Sequence, residues 1–254
     1  MSKPSHDHIG AVASSGPFPA SPLAFRFGLA AAIAVLSAVA GGQAIAADCN
    51  GSPAPKADWQ QCDKAMLMLE GSDLSGANLA EANFTSTDLR GSNLEAANLQ
   101  KATLIMASLA GSKADKTNFT RVDAYRASFA SVSAQGAVFT SAELQRVDFT
   151  GADLTGADFQ KAELGRAEFS KAILAGTTFP RANLSRALLK EATFQGPIDL
   201  TGAFMFLTRI EGIDLTKATG LEQAQLDQAC GDANTKLPAG LKAPASWPCK
   251  FQFD

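Results

Sequence analysis

Ala152-Asp153-Leu154-Thr155-Gly156-Ala157-Asp158-Phe159-Gln160-Lys161-Ala162-Glu163-Leu164 is the stretch whose reading decides the fold. It repeats a five-residue word: a small residue, a short polar or acidic one, a bulky apolar one, then two further positions. Stepping outward by fives, the bulky position runs in phase from Leu69 to Phe194, 26 positions in all. Of these, 23 are Leu or Phe, and the other three are Ala114, Ala124 and Ala134. Two places earlier stands Ala in 16 of the 26 cases. A helix buries one face with a period of 3.6 and a strand with a period of 2, so five fits neither. A short period held in phase this long marks a solenoid, in which each unit buries its apolar face only against its neighbours.

The words AlaAsnLeu (77–79), AlaAspLeuThrGly (152–156), AlaAspPheGlnLys (157–161) and AlaAsnLeuSerArg (182–186) match an A-(D/N)-(L/F)-x-x motif. In this the chain resembles the pentapeptide-repeat proteins, over about half its length. The resemblance implies an all-β solenoid, a right-handed quadrilateral β-helix with four pentapeptides per coil and the large and small positions turned inward. Residues 20 apart then stack on one wall. Phe119, Phe139, Phe159 and Phe179 form one ladder, and Phe129, Phe149 and Phe169 another on the opposite wall. The other two walls carry Ala114, Ala134, Leu154, Leu174 and Ala124, Leu144, Leu164, Leu184. Interiors pack densely, so rings across one axis require smaller groups across the other, and the three Ala positions fall beside Phe119, Phe129 and Phe139. The Asp and Asn before many central residues (Asp73, Asn78, Asn83, Asp88, Asn93, Asn98) suggest a metal or carbohydrate ladder. A bond from each short side chain to the turn backbone is the simpler expectation, since the slot also takes Ser108, Lys113, Val138, Ile173 and Leu188.

Around this core four segments are expected: 1–46, 47–66, 67–220 and 221–254. Residues 1–46 read as a secretory signal peptide with an extended N-terminal region. Arg26 precedes an apolar run from Phe27 to Ala40, and Ala44-Ile45-Ala46 gives an A-x-A site, so cleavage is expected near Ala46. Retention as an uncleaved anchor is the alternative, against which Gly41, Gly42 and Gln43 count. Asp48 spoils a lipid-attachment motif at Cys49. Residues 47–66 are an N-terminal cap containing Trp59, which stands in the five-residue phase with Lys64. The coils follow over 67–220, with the phase slipping by one at Gln195-Gly196-Pro197 and resuming at Leu200, Met205, Ile210 and Leu215. Thr219-Gly220-Leu221-Glu222 reads as a capping box opening a helix over Leu221–Cys230, with Gly231 as its stop and a Pro-rich tail beyond. The stretch around it, Ala218 to Asp232, resembles the tail of other bacterial pentapeptide-repeat proteins.

Cys49 and Cys62 precede the coils, while Cys230 and Cys249 follow them. Four cysteines allow three pairings. About seven coils at roughly 4.8 Å hold the two ends about 30 Å or more apart, whereas a disulfide needs Cα atoms within about 7 Å. The expected pairs are therefore Cys49–Cys62 and Cys230–Cys249, each closing one end in an oxidising compartment. The only histidines are His6 and His8, so nothing after the leader supports His-based catalysis or the usual zinc sites. Net charge is −3 with 14 acidic and 13 basic residues over 67–196, which gives no basic nucleic-acid footprint. No catalytic, cofactor-binding or metal residue is assigned. The expected role is a non-enzymatic, periplasmic or secreted structural and protein-interaction module, with a protein or cell-envelope partner and no lasting membrane anchor. One alternative follows from the family resemblance: a DNA-mimicking binder of type II topoisomerases of the quinolone-resistance kind, which the charge balance and the leader oppose. The other is a secreted polysaccharide-acting β-helix enzyme, for which no clustered acidic and basic set is present.

Overall fold

The computed structural model describes residues 47–194 and 196–250, so the expected leader within 1–46 lies outside the described residues. The chain winds as a solenoid. Parallel bridges join residue to residue twenty places on, Asp58 to Asn78 and Asn78 to Asn98, then onward up the coil. A register of 20 and a word of five place four segments in each coil. Four walls result, centred on Phe119, Ala124, Phe129 and Ala114 with their neighbours at steps of twenty.

One accounting of backbone donors explains the five-residue word. The N–H of Phe139, a bulky position, donates to Asp158 O of the next coil at 2.7 Å. The N–H of Ser141 at the corner donates to Gln160 O, and that of Ala142 closes the turn onto Phe139 O at 3.0 Å. Glu143 N–H reaches back to Val122 O at 2.8 Å. Four of five donors are thus satisfied by backbone. The fifth belongs to the residue after the bulky one, and the Asp or Asn two places before it accepts it: Gln160 N–H bonds Asp158 Oδ1 at 2.8 Å, and Thr85 N–H bonds Asn83 Oδ1 at 3.0 Å. This is the turn-bonding role expected for that slot. Where Val138 or Ile173 takes the slot, no side-chain acceptor is offered and the phase still holds.

The second corner residue has a positive φ in every word from Lys56 to Glu191, and again at Gly202, Leu207 and Gly212, as a type II turn requires of its third residue. Arg146 at +60° and Gly151 at +67° occupy equivalent corners, so the left-handed conformation belongs to the coil and not to glycine.

The interior is continuous. Phe119, Phe139, Phe159 and Phe179 stack face to face with centroids 4.7, 4.7 and 5.1 Å apart. Phe129, Phe149 and Phe169 form a second column at 5.2 and 5.1 Å. The two columns meet edge to face across the core at 5.5–6.1 Å. Stack spacing matches the strand separation of about 4.7–4.9 Å, so ring repeat and backbone repeat are commensurate. Ala114, Ala124 and Ala134 are fully buried on the narrow axis between them. Buried Thr hydroxyls in the small slot return to the core carbonyl of the coil below, as Thr117 Oγ1 does to Leu94 O at 2.6 Å, whereas the buried Ser112 Oγ has no such partner.

Asp58, Trp59 and Lys64 already lie in the first coil, ahead of residue 67. Trp59 is buried, and the Lys64 ammonium lies 3.7 Å from its ring centroid while donating to Cys49 O at 2.7 Å. At the slip near Gly196-Pro197 the register widens from 20 to 21, Thr178 pairing with Asp199, and Leu200, Met205, Ile210 and Leu215 return to the interior. Bridging continues beyond residue 220, from Arg209 to Cys230 and from Asp214 to Lys236.

The helix expected over Leu221–Cys230 is corrected. Helix α1 spans only Gln223–Leu226, with Glu222 and not Thr219 at its N-cap, and it closes at Asp227 well before Gly231. The physical reason is competition. Leu207 N–H takes Gln228 O at 2.7 Å and Ile210 N–H takes Cys230 O at 2.8 Å, so the following residues serve the ladder. Within α1, Leu226 is buried, and Gln225 Nε2 donates to Leu200 O and Ala203 O. Cys49–Cys62 and Cys230–Cys249 are disulfide-bonded. Among the described residues, no helix is long and apolar enough to cross a membrane.

Candidate functional site

The sequence-derived residues fall into two structural roles. The seven Phe of the ladders are sealed in the core, and the four cysteines sit at the two ends. Of these residues Cys249 borders a hollow beneath the tail, while the ladder rings are enclosed on all sides. The surface is therefore where a site must be sought, and it is organised in rows with the coil's own period.

One row stands out. Its members are the second corner residues after the Ala124 wall: Met66, Ser86, Met106, Arg126, Arg146, Arg166, Arg186 and Leu207. Each arginine backbone is pinned by the ladder. Arg146 N–H donates to Gly165 O at 3.0 Å, Arg166 N–H to Ser185 O at 2.8 Å, and Arg186 N–H to Phe206 O at 2.8 Å. The four guanidinium stems thus leave the coil from equivalent corners about 4.8 Å apart in height. The Arg126 guanidinium lies 5.4 Å from the Tyr125 ring centroid.

The row ends in exposed aromatics. After the slip, the outward slots hold Phe204 and Phe206, which are 48% and 42% exposed and stack with centroids 6.3 Å apart. Together with Gln145, Arg146, Gly165, Arg166, Ser185 and Arg186 they bound an open groove of about 360 Å³. Phe206 also borders a hollow of about 610 Å³ beneath the tail, lined by Leu207, Gln228, Trp247 and Pro248 among others. Trp247 is held there by its Nε1, which donates to Ala229 O at 2.7 Å. Inside the Arg row, the outward slots of the wall carry Asp123, Glu143 and Glu163, and Glu163 Oε2 accepts from Asn183 at 2.7 Å.

The arrangement sets guanidinium groups beside two stacked phenyl rings, combining positive charge with apolar surface. Among the described residues, no group of three or more His, Cys, Asp or Glu is placed to hold a metal ion. Sequence reasoning missed this groove because it counted charges over the whole segment. Reading the corner positions every twenty residues, as was done for the core, would have found the Arg row. Phe204 and Phe206 are visible only once the slip is placed.

Models of the pentapeptide repeat region and of pentapeptide repeats match residues 107–179 and, in two blocks, 69–104 and 167–197. The chain belongs to the pentapeptide-repeat family. Among solved structures, this pentapeptide-repeat chain is similar to QnrB1, a plasmid-mediated fluoroquinolone resistance protein. That similarity has a TM-score of 0.52 at 13% identity, covering 71% of this chain and 91% of that one. At that identity the likeness is one of fold alone. It is also similar to HetL of the cyanobacterium Nostoc sp. strain PCC 7120, a protein involved in heterocyst differentiation regulation, at 26% identity and a TM-score of 0.39, covering 74% and 79%. A pentapeptide-repeat protein of the Arabidopsis thaliana thylakoid lumen shares 26% identity over 54% of this chain and 79% of that one, with a TM-score of 0.19. No curated protein matches the chain.

Proposed function

We propose that this pentapeptide-repeat protein is an exported, non-enzymatic interaction module that presents its outer rows to a protein partner. The observation that carries the reading is the pair of disulfides, one at each end of the coil. Disulfides persist in oxidising compartments, and the Ala44-Ile45-Ala46 signal upstream points the same way. A filled apolar interior leaves recognition to the exterior, and a solenoid offers an extended face suited to it. The coil is taken as right-handed, the sense favoured when parallel strands are joined by successive crossovers of L-residues. The lead-in to Trp59 and the segment from α1 onward act as end covers, since bare strand edges invite association.

The test is expression of the full gene in a bacterial host, followed by fractionation and intact-mass measurement. A periplasmic or secreted product beginning at Ala47, four hydrogens lighter than the reduced chain, is expected. A cytosolic product that retains Met1 and four free thiols would overturn the reading.

A further inference from the structure

We propose that the groove bounded by Arg146, Arg166 and the Phe204–Phe206 pair is the docking site for an acidic segment of a partner protein, one that sets carboxylates on the arginines and an aromatic or aliphatic side chain against the two rings. This deepens the interaction-module reading and rests on it.

Charge complementarity is the first argument. The ion pairs among the described residues use Arg90, Lys101, Lys190, Arg209 and Lys236 as their cations, and neither Arg146 nor Arg166 is among them. Elsewhere the same coil period sets Lys101 on Glu81 of the coil below at 2.8 Å, so the fold pairs opposite charges readily. In this row it stacks like charges from coil to coil instead. Arg146 and Arg166, which take part in none of those ion pairs, thereby offer two guanidinium groups one coil apart to an anionic ligand. The second argument is apolar. Phe204 and Phe206 are nearly half exposed, following Asn183 and Ser185 in their rows, and their rings stack on each other. Exposed aromatics joined to a groove mark an interaction surface.

The occupant's class follows from what the groove offers. The N–H groups of Arg146 and Arg166 are consumed by the ladder, so these two residues offer their guanidinium side chains for recognition. Guanidinium forks fit planar carboxylates in bidentate fashion. A uniform polyanion such as DNA or a polyuronide would meet Glu143 and Glu163 beside the arginines along its whole length. Carboxylates spaced along a peptide need not.

Fluorescence anisotropy of the full chain with a short labelled peptide of Glu, Asp, Phe and Leu decides the matter. Saturable binding is expected, weakened at least about tenfold by the double change Arg146→Glu, Arg166→Glu and several-fold by Phe206→Ser. Raising salt from about 50 to 300 mM should weaken it further. A peptide with Lys in place of the acids should not bind. Absence of binding, binding indifferent to salt and to Arg146→Gln, or arginine-dependent binding of single-stranded DNA or polyuronide in place of the peptide would each overturn the proposal. Circular dichroism checks that the variants fold, and the salt response of the unaltered chain decides if they do not. Correct export with both disulfides but no peptide binding would sink this inference and leave the module reading standing.

Discussion

Phe139 shows what one residue does in this fold. Its ring lies 4.7 Å from both Phe119 and Phe159 in parallel stacks and presents an edge to Phe129 at 6.0 Å and Phe149 at 5.8 Å. It is fully buried, and its backbone is clamped above and below by the ladder. The walls cannot collapse into a gap there, because their spacing is fixed by bridges on both sides. Phe139→Ala is therefore expected to cost about 3–5 kcal/mol, the usual range for an aromatic truncated in a core that does not relax. Denaturant unfolding measures it, and an unchanged midpoint would mean that the column contributes nothing. The ladder could be read in the sequence because period and coil length together assign each ring a wall. The buried hydroxyls were not legible: Thr87, Thr117 and Thr177 occupy slots where Ala is common, and only the structure shows core carbonyls with a lone pair to receive them.

At the scale of elements, the two ends differ from the middle. A central coil has a neighbour on each side, while an end coil has one and must be covered. At the first end Trp59 and Lys64 stand inward, Asp48 N–H donates to Asp58 O at 2.9 Å, and Cys49 is tied to Cys62 thirteen residues on. A cross-link of that span contributes about 3 kcal/mol on loop-closure grounds. Because solenoid units contact only their neighbours, the effect should stay local. Cys49→Ser with Cys62→Ser is expected to raise amide exchange over residues 57–66 and leave the Phe139–Phe159 region protected. Uniform loosening along the rod would contradict this, as would no change at the end. The cysteine pairs could be inferred because coil height alone forbids pairing between the ends. Helix α1 was overestimated for the opposite reason. Its sequence carries a capping pattern and helix formers, which are local signals, but a short helix is marginal without tertiary support and the ladder claimed its second half. Gln228 and Cys230 are bonded across to Leu207 and Ile210, a constraint set by residues some twenty places away.

For the whole molecule, near balance of charge hides its segregation into rows, and the rows become visible only when the coil length is known. Many carboxylates on the outside are held by neighbours at fixed offsets. Asp214 is pulled down to about 2 from an ordinary value near 3.8, chiefly by the Thr216 hydroxyl, then by the Thr216 N–H and by Lys236 Nζ at 3.0 Å. Asp88 is lowered by the Arg90 side chain first, Glu81 by Lys101, and Asp73 by the Ser75 backbone N–H. A carboxylate whose folded pKa lies below its unfolded one binds protons less readily in the folded chain, so the unfolded chain gains as pH falls. The stability these groups contribute is fully present above the ordinary carboxylate range. It is lost as pH drops from about 4 towards 2, the window set by Asp214. The melting temperature should be level above about pH 5 and fall through that window. Asp214→Asn should flatten part of the fall, since the amide cannot titrate, while lowering the melt slightly at neutral pH through the lost Lys236 contact. A melting temperature that rises on acidification, or a fall centred near neutral pH, would show that groups other than these outer carboxylates govern the solenoid's response to acid.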